Sequence, residues 1–287
     1  MVFTLTTRDG CALLGRIDGL GDAGQPPRAL VLIVHGLGEH AGRYAHVVRY
    51  LLARRFAVAC YDQRGHGQSG GARGALPADD ALLADLGRVI AHLRQPEVGG
   101  GLPLVLLGHS MGGLVAARHQ AEALSRKPAV WWKAVDALVL SSPALDVGMS
   151  RFQRWLVDAL APRLPDLAIG NGLKPEWVSR DPAVVQAYRG DPLVHDRITP
   201  RLARFFLAAG ADVLAAAPRW PVPTLLLYAG ADRCVRPEGS RRFAERSPAG
   251  QVRERVYHGL AHEIFNEPEQ RQVLTDLEEW LDDQLGG

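Results

Sequence analysis

Short runs of consecutive apolar residues recur along this chain, and most are followed by stretches with an apolar residue every three or four positions. Runs of the first kind suit strands buried on both faces of a parallel sheet, and the second kind suits amphipathic helices. Strands are predicted at residues 29–34, 56–60, 104–107, 137–140, 224–228 and 252–257. Between them, Tyr44, Val47, Val48, Leu51 and Leu52 share one helical face, as do Leu82, Leu86, Val89 and Leu93. Residues 111–126 are helix-compatible, and Val273, Leu274, Leu277, Trp280 and Leu281 form the face of a C-terminal helix. Strands alternating with helices predict an α/β fold with a mostly parallel sheet.

Two regions depart from this rhythm. Residues 2–18 hold Asp9-Gly10 between short apolar runs, which predicts an antiparallel hairpin turning on that pair, because both positions tolerate positive φ. A Gly/Pro-rich loop, 19–27, follows it. The second region, 143–219, has no clear buried-strand run, and its prolines cut it into short pieces. Apolar residues recur in it at helical spacing: Phe152, Trp155, Leu156 and Leu160, then Leu202, Phe205, Phe206 and Leu207. It is too long for a connecting loop. The expected organisation is a core of 1–142 and 220–287 with a helical cap, 143–219, inserted between two core strands.

Composition narrows the class. The 287 residues are 47% apolar, enough for one large core with an insertion. A net charge of +2, spread along the chain, gives no footprint for nucleic acid. Cys11, Cys60 and Cys234 are too few and too scattered for a disulfide framework or a zinc site. No basic-then-apolar leader opens the sequence, and no apolar run approaches the ~18 residues of a membrane span. A cytoplasmic protein is expected. No H-E-x-x-H pair occurs among the ten histidines, so no metal and no other cofactor is expected.

The chemistry is concentrated at strand ends. Gly108-His109-Ser110-Met111-Gly112 matches G-x-S-x-G, with an apolar strand before it and a helix-compatible run after it. A serine hydroxyl is a weak nucleophile, so Ser110 needs a base and an oxyanion site. In this strand–turn–helix context the oxyanion donors are the backbone N–H groups after the first core strand and after the nucleophile, those of Leu37 and Met111. The acid and base then follow in chain order. His262 lies just beyond the last strand and is the expected base, with His258 at the strand end as its rival. Asp232 follows the 224–228 strand as the expected orienting acid, with Asp146 as the alternative.

Several segments together carry a family resemblance. They are His35-Gly-Leu-Gly-Glu-His40 with Arg43-Tyr44, Tyr61-Asp-Gln-Arg-Gly-His-Gly-Gln-Ser69, Gly108-His-Ser-Met-Gly-Gly113, Asp191-Pro-Leu193, Gly230-Ala-Asp-Arg233 and the His262 loop. In this order the chain resembles the monoacylglycerol lipase and lysophospholipase branch of the α/β-hydrolases (serine aminopeptidase S33-like hydrolases). The resemblance implies the α/β-hydrolase fold and places Glu39, Arg43 and the cap residue Tyr188 at the polar end of the substrate pocket. The animal lipases carry a second histidine three residues after the catalytic one, where this chain has Phe265. Phe152, Trp155, Leu156, Phe205 and Phe206 are candidates for the wall of an acyl tunnel, and the cap for transient contact with a membrane surface.

The expected function is hydrolysis of a monoacyl lipid ester through an acyl-enzyme. A lysophospholipase, carboxylesterase or thioesterase with the same triad is the alternative, and a non-catalytic binding protein of the same fold is the third reading.

Overall fold

The computed structural model describes residues 1–21 and 26–286, so residues 22–25 of the expected 19–27 loop lie outside the described residues. Strands β1 (Val2–Thr6) and β2 (Ala12–Asp18) open the chain. Then come β3 (Leu30–Val34), α1 (Ala45–Leu52), β4 (Ala57–Tyr61), α2 (Ala81–Leu93), β5 (Leu104–His109), α3 (Met111–Ala121) and β6 (Ala137–Ser141). The next stretch holds α4 (Arg151–Leu160), β7 (Ile169–Gly170), α5 (Pro182–Gly190), β8 (Arg197–Ile198) and α6 (Pro200–Ala216). The chain finishes with β9 (Thr224–Ala229), α7 (Pro237–Arg246), β10 (Val252–Tyr257) and α8 (Gln270–Leu285).

Eight strands form one sheet in the order β1-β2-β4-β3-β5-β6-β9-β10. Neighbours from β4 to β10 run parallel, and the β1–β2 hairpin adds antiparallel at one edge. The continuous apolar runs follow from burial on both faces. Leu30, Leu32 and Val34 of β3 pack with α2, α3 and α6, while Val31 and Ile33 face the opposite way toward α1 and α8. The edge strand β10 differs: Arg253, Glu254 and Arg255 in its middle are exposed.

β4 and β5 flank β3 on opposite sides, so the strand order reverses there. In open α/β sheets, ligands sit beyond the carboxyl ends of the strands at such a switch point. Leu37 follows β3 and Ser110 follows β5, so both stand at this crevice.

Three local expectations change. The hairpin turn spans residues 7–11, wider than Asp9-Gly10 alone, and only Gly10 of that pair takes positive φ (82°). Asp9 is held instead by the Thr7 hydroxyl at 2.5 Å and by Arg64 at 2.9 Å. The helix after Ser110 ends at Ala121 and tightens into a 3-10 turn over Glu122–Leu124. The 143–219 stretch also carries a two-residue antiparallel pairing, β7 with β8.

Candidate active site

Ser110 is the hinge between β5 and α3, with φ 52° and ψ −117°. That region is costly for a residue with a side chain. The flanking glycines permit it by close approach. A Cβ on Gly112 would lie 2.1 Å from the Val34 carbonyl oxygen, and one on Gly108 would lie 2.5 Å from that of Gly112. The posture is fixed by the Ser110 amide donating to Ser141 (2.9 Å) and by the Ser110 carbonyl accepting from Leu114 and Ala144 (3.0 Å each). The hydroxyl therefore stands out from the sheet end.

Three strand ends meet there. The Ser110 hydroxyl lies 2.8 Å from His262 Nε2, and His262 Nδ1 lies 2.6 Å from Asp232 Oδ2. An ionised carboxylate only accepts, so Nδ1 carries the proton and donates to Asp232, leaving Nε2 to accept from the serine hydroxyl. The other oxygen of Asp232 accepts from the amides of Cys234 (2.8 Å) and Val235 (3.0 Å), which fixes the carboxylate plane. Burial alone would push the His262 pKa down. The Asp232 carboxylate overrides this and, with Glu263 and Glu39, holds it above the ordinary value. His109, buried with its ring centroid 4.8 Å from His262, is driven down to about 4 by burial and then by that neighbour, so it stays neutral. The rivals stand elsewhere: His258 is exposed, and Asp146 ion-pairs with Arg242 at 2.6 Å.

Ser110 opens onto a cavity of about 230 Å³ whose lining includes Leu37, Met149, Leu173, Ile198 and Phe206. The loop after β3 reaches Ser110, since a Cβ on Gly36 would lie 3.1 Å from that of Ser110. Met111 begins α3 and is fully buried. Of the expected tunnel aromatics, Phe206 lines the cavity, while Phe205 packs in the core beside it. Phe152, Trp155 and Leu156 do not line it; they face solvent, the first two 68% and 62% exposed. Helical spacing gives a stripe but not the side from which the stripe is covered.

The polar residues also converge. Glu39 Oε1 accepts from the Gly36 amide (2.5 Å) and the Tyr44 hydroxyl (2.7 Å), and Oε2 accepts from Arg43 (2.8 Å). The Tyr188 ring, from α5, covers the Arg43 guanidinium with its centroid at 4.8 Å. Phe265 is not part of this group, because its side chain is buried in the core toward α1 and α8. Two acids escaped the sequence reading. Glu263 binds Arg43 through both oxygens at 2.5 and 2.6 Å. Glu267, fully buried, accepts from the Ala261 amide at 2.9 Å and from the Ser179 hydroxyl at 2.8 Å, tying the His262 loop to the 143–219 stretch. The signal for Glu263 was a charge directly after the expected base, in an otherwise apolar segment.

A family model described as serine aminopeptidase, S33, matches residues 25–269. The chain belongs to this family. Within the S33 family it is 36% identical over 258 residues to a monoacylglycerol lipase of Mycolicibacterium smegmatis, covering 89% of this chain and 88% of that one. It is 30% identical over 259 residues to the monoglyceride lipase of Homo sapiens, covering 89% and 82%. The crystal structure of Paleococcus ferrophilus monoacylglycerol lipase superposes with a TM-score of 0.81 at 34% identity, covering 95% of this chain and 99% of that chain. The expected α/β-hydrolase fold and the expected relatives are both found. This S33 chain is an ester-hydrolysing enzyme of the monoacylglycerol-lipase-like type. No helix among its described residues is long and apolar enough to cross a membrane.

Proposed function

We propose that this enzyme releases a fatty acid from a monoacyl lipid, with Ser110 as nucleophile, His262 as base and Asp232 as orienting acid. The observation that carries the reading is the unbroken Ser110–His262–Asp232 hydrogen-bond chain, whose serine lines a largely apolar cavity. His262 takes the serine proton as Oγ attacks the ester carbonyl, and the imidazolium that forms is stabilised by Asp232. The N–H groups of Leu37 and Met111 receive the oxyanion. Collapse expels the alcohol, which takes its proton from His262. Water, deprotonated by the same imidazole, then releases the acid. No cofactor takes part.

The stretch 143–219 acts as a cap over the core of 1–142 and 220–287, and Phe206 and Ile198 give one wall of the acyl site. Glu39, Arg43 and Tyr188 bound the polar end. Their charges are already paired within the protein, which suits a neutral polyol head group such as glycerol. The outward face of α4 carries Phe152, Trp155 and Leu156 beside exposed Arg151 and Arg154. An apolar stripe rimmed by cations suits contact with a lipid surface that holds the substrate.

The test is a chain-length series of monoacylglycerols, set beside lysophospholipids and short aryl esters, with Ser110→Ala as control. Release of medium- and long-chain acids, lost at least ~10⁴-fold in the variant, is expected. Activity confined to acetyl or butyryl esters, or surviving in the variant, would overturn the reading.

A further inference from the structure

We propose that Glu263 is a positioning residue for the base: through Arg43 it locks the His262 loop to the loop that carries Leu37, and it keeps a net negative charge beside the imidazole. The inference rests on the triad reading above.

The covalent path between these two loops is long, but the hydrogen-bonded path is short. The Gly36 amide, directly before Leu37, donates to Glu39 Oε1 at 2.5 Å. Glu39 Oε2 accepts from Arg43 Nη1 at 2.8 Å. Arg43 then donates through both terminal nitrogens to Glu263, the residue after His262. Such a two-point bond fixes direction as well as distance. The Asn266 side-chain amide at 2.9 Å and the Glu263 amide bonded to the Val178 carbonyl at 2.8 Å hold Glu263 from its far side. An oxyanion donor and the base are thus set relative to each other by one buried ionic chain.

The charge balance matters as much as the geometry. Two carboxylates share one guanidinium, so the trio is net negative, and its side chains are at most 10% exposed. Around His262 stand Asp232, Cys234, neutral His109, Glu39 and Glu263, the last two both bonded to Arg43. Burial works against the imidazolium there, and Glu263 opposes it in company with Asp232 and Glu39. Without the Glu263 charge, Arg43 would still be paired with Glu39 and the group would be neutral. Glu263 therefore supplies the net negative charge by which the trio supports the basicity of His262.

The experiment compares wild type, Glu263→Gln and Glu263→Asp by the pH dependence of kcat/KM on a soluble ester. His262 must be neutral to accept the proton, so activity falls as pH drops through its pKa. Removing the negative charge lowers that pKa. The acid limb of Glu263→Gln is therefore expected about half a unit to one unit below that of wild type. Its kcat should fall about three- to tenfold, because the imidazolium is less stabilised as it forms. Glu263→Asp keeps the charge with a shorter reach, so its limb stays at the wild-type pH while kcat falls. A purely structural role would lower kcat or the melting temperature in both variants and leave both limbs in place, and that result overturns the proposal. Should Glu263→Gln not fold, Glu39→Gln removes the other charge of the same trio and is read in the same way. Wild type is first labelled at Ser110 with a fluorophosphonate: absence of labelling would undo the triad reading, whereas labelling with unmoved limbs would undo only this inference.

Discussion

Two helices of this molecule make opposite use of apolar side chains. α3, which follows Ser110, is buried almost throughout: Met111, Leu114, Val115, Ala116 and Ala117 are all 0% exposed. α4, in the 143–219 stretch, buries none of its residues. Packing against strands and neighbouring helices decides the position of α3 to a fraction of an ångström. α4 is organised locally by the Ser150/Gln153 capping box, in which each side chain bonds the other residue's backbone amide. Its Phe152 and Trp155 rings stack on each other at 5.8 Å, with no protein layer above them. Ser110 thus adjoins a helix that is confined on almost every side, whereas the apolar stripe of α4 lies on a helix that buries nothing. Precision and access are kept on separate elements.

The contrast can be broken most forcefully at Gly112. A methyl group there would meet the carbonyl oxygens of Val34 and His35 at 2.1 and 2.4 Å, neither of which can move without displacing β3. Gly112→Ala should lose about 3 kcal/mol or more of stability. Its fluorophosphonate labelling should fall by at least ~100-fold, since a shift of an ångström at the nucleophile is enough. Near-native labelling would mean that α3 is more yielding than its packing indicates.

A smaller effect, of opposite sign, is expected at Ser110 itself. Only Arg55, Ser110 and Ser142 adopt positive φ among the described non-glycine residues. Ser110→Gly relieves that strain, so the inactive variant should gain about 1–3 kcal/mol in denaturant unfolding. A loss of stability would show that the hydroxyl's bond to His262 outweighs the strain.

The mildest change in stability is expected on α4. Phe152→Ser combined with Trp155→Ser should leave unfolding within about 0.5 kcal/mol of wild type, as substitutions of exposed side chains usually do. Hydrolysis of dispersed long-chain monoacylglycerol should nonetheless fall about tenfold, with a soluble short ester changed by less than about twofold. Equal losses on both substrates would assign α4 to the acyl site rather than to a lipid surface.

The same contrast explains how much the sequence disclosed. Strands buried on both faces leave nothing but apolar residues in register, so β3, β4, β5, β6, β9 and β10 were legible to within two residues at each end. Ser110, Asp232 and His262, the proposed triad, could be picked out because each lies just past one of those runs, and the structure brings the three within hydrogen-bond distance. Residues that act through partners distant in sequence were hidden. Glu263 and Arg43 are 220 positions apart, and nothing local to either announces the bond. Phe152 and Trp155 showed their helical period but not their surroundings, because a stripe facing solvent and a stripe facing a core are written alike.

The outer strand β10 has a consequence of its own. It closes one edge of an eight-stranded sheet, where unpaired backbone groups could recruit the edge of another molecule. Arg253, Glu254 and Arg255 stand exposed along it, with Arg253 bonded to Asp283 of α8 and Glu254 to the Tyr228 hydroxyl of β9. Docking a second strand there would strip water from these charges. This edge therefore discourages the crowded protein from growing into fibres.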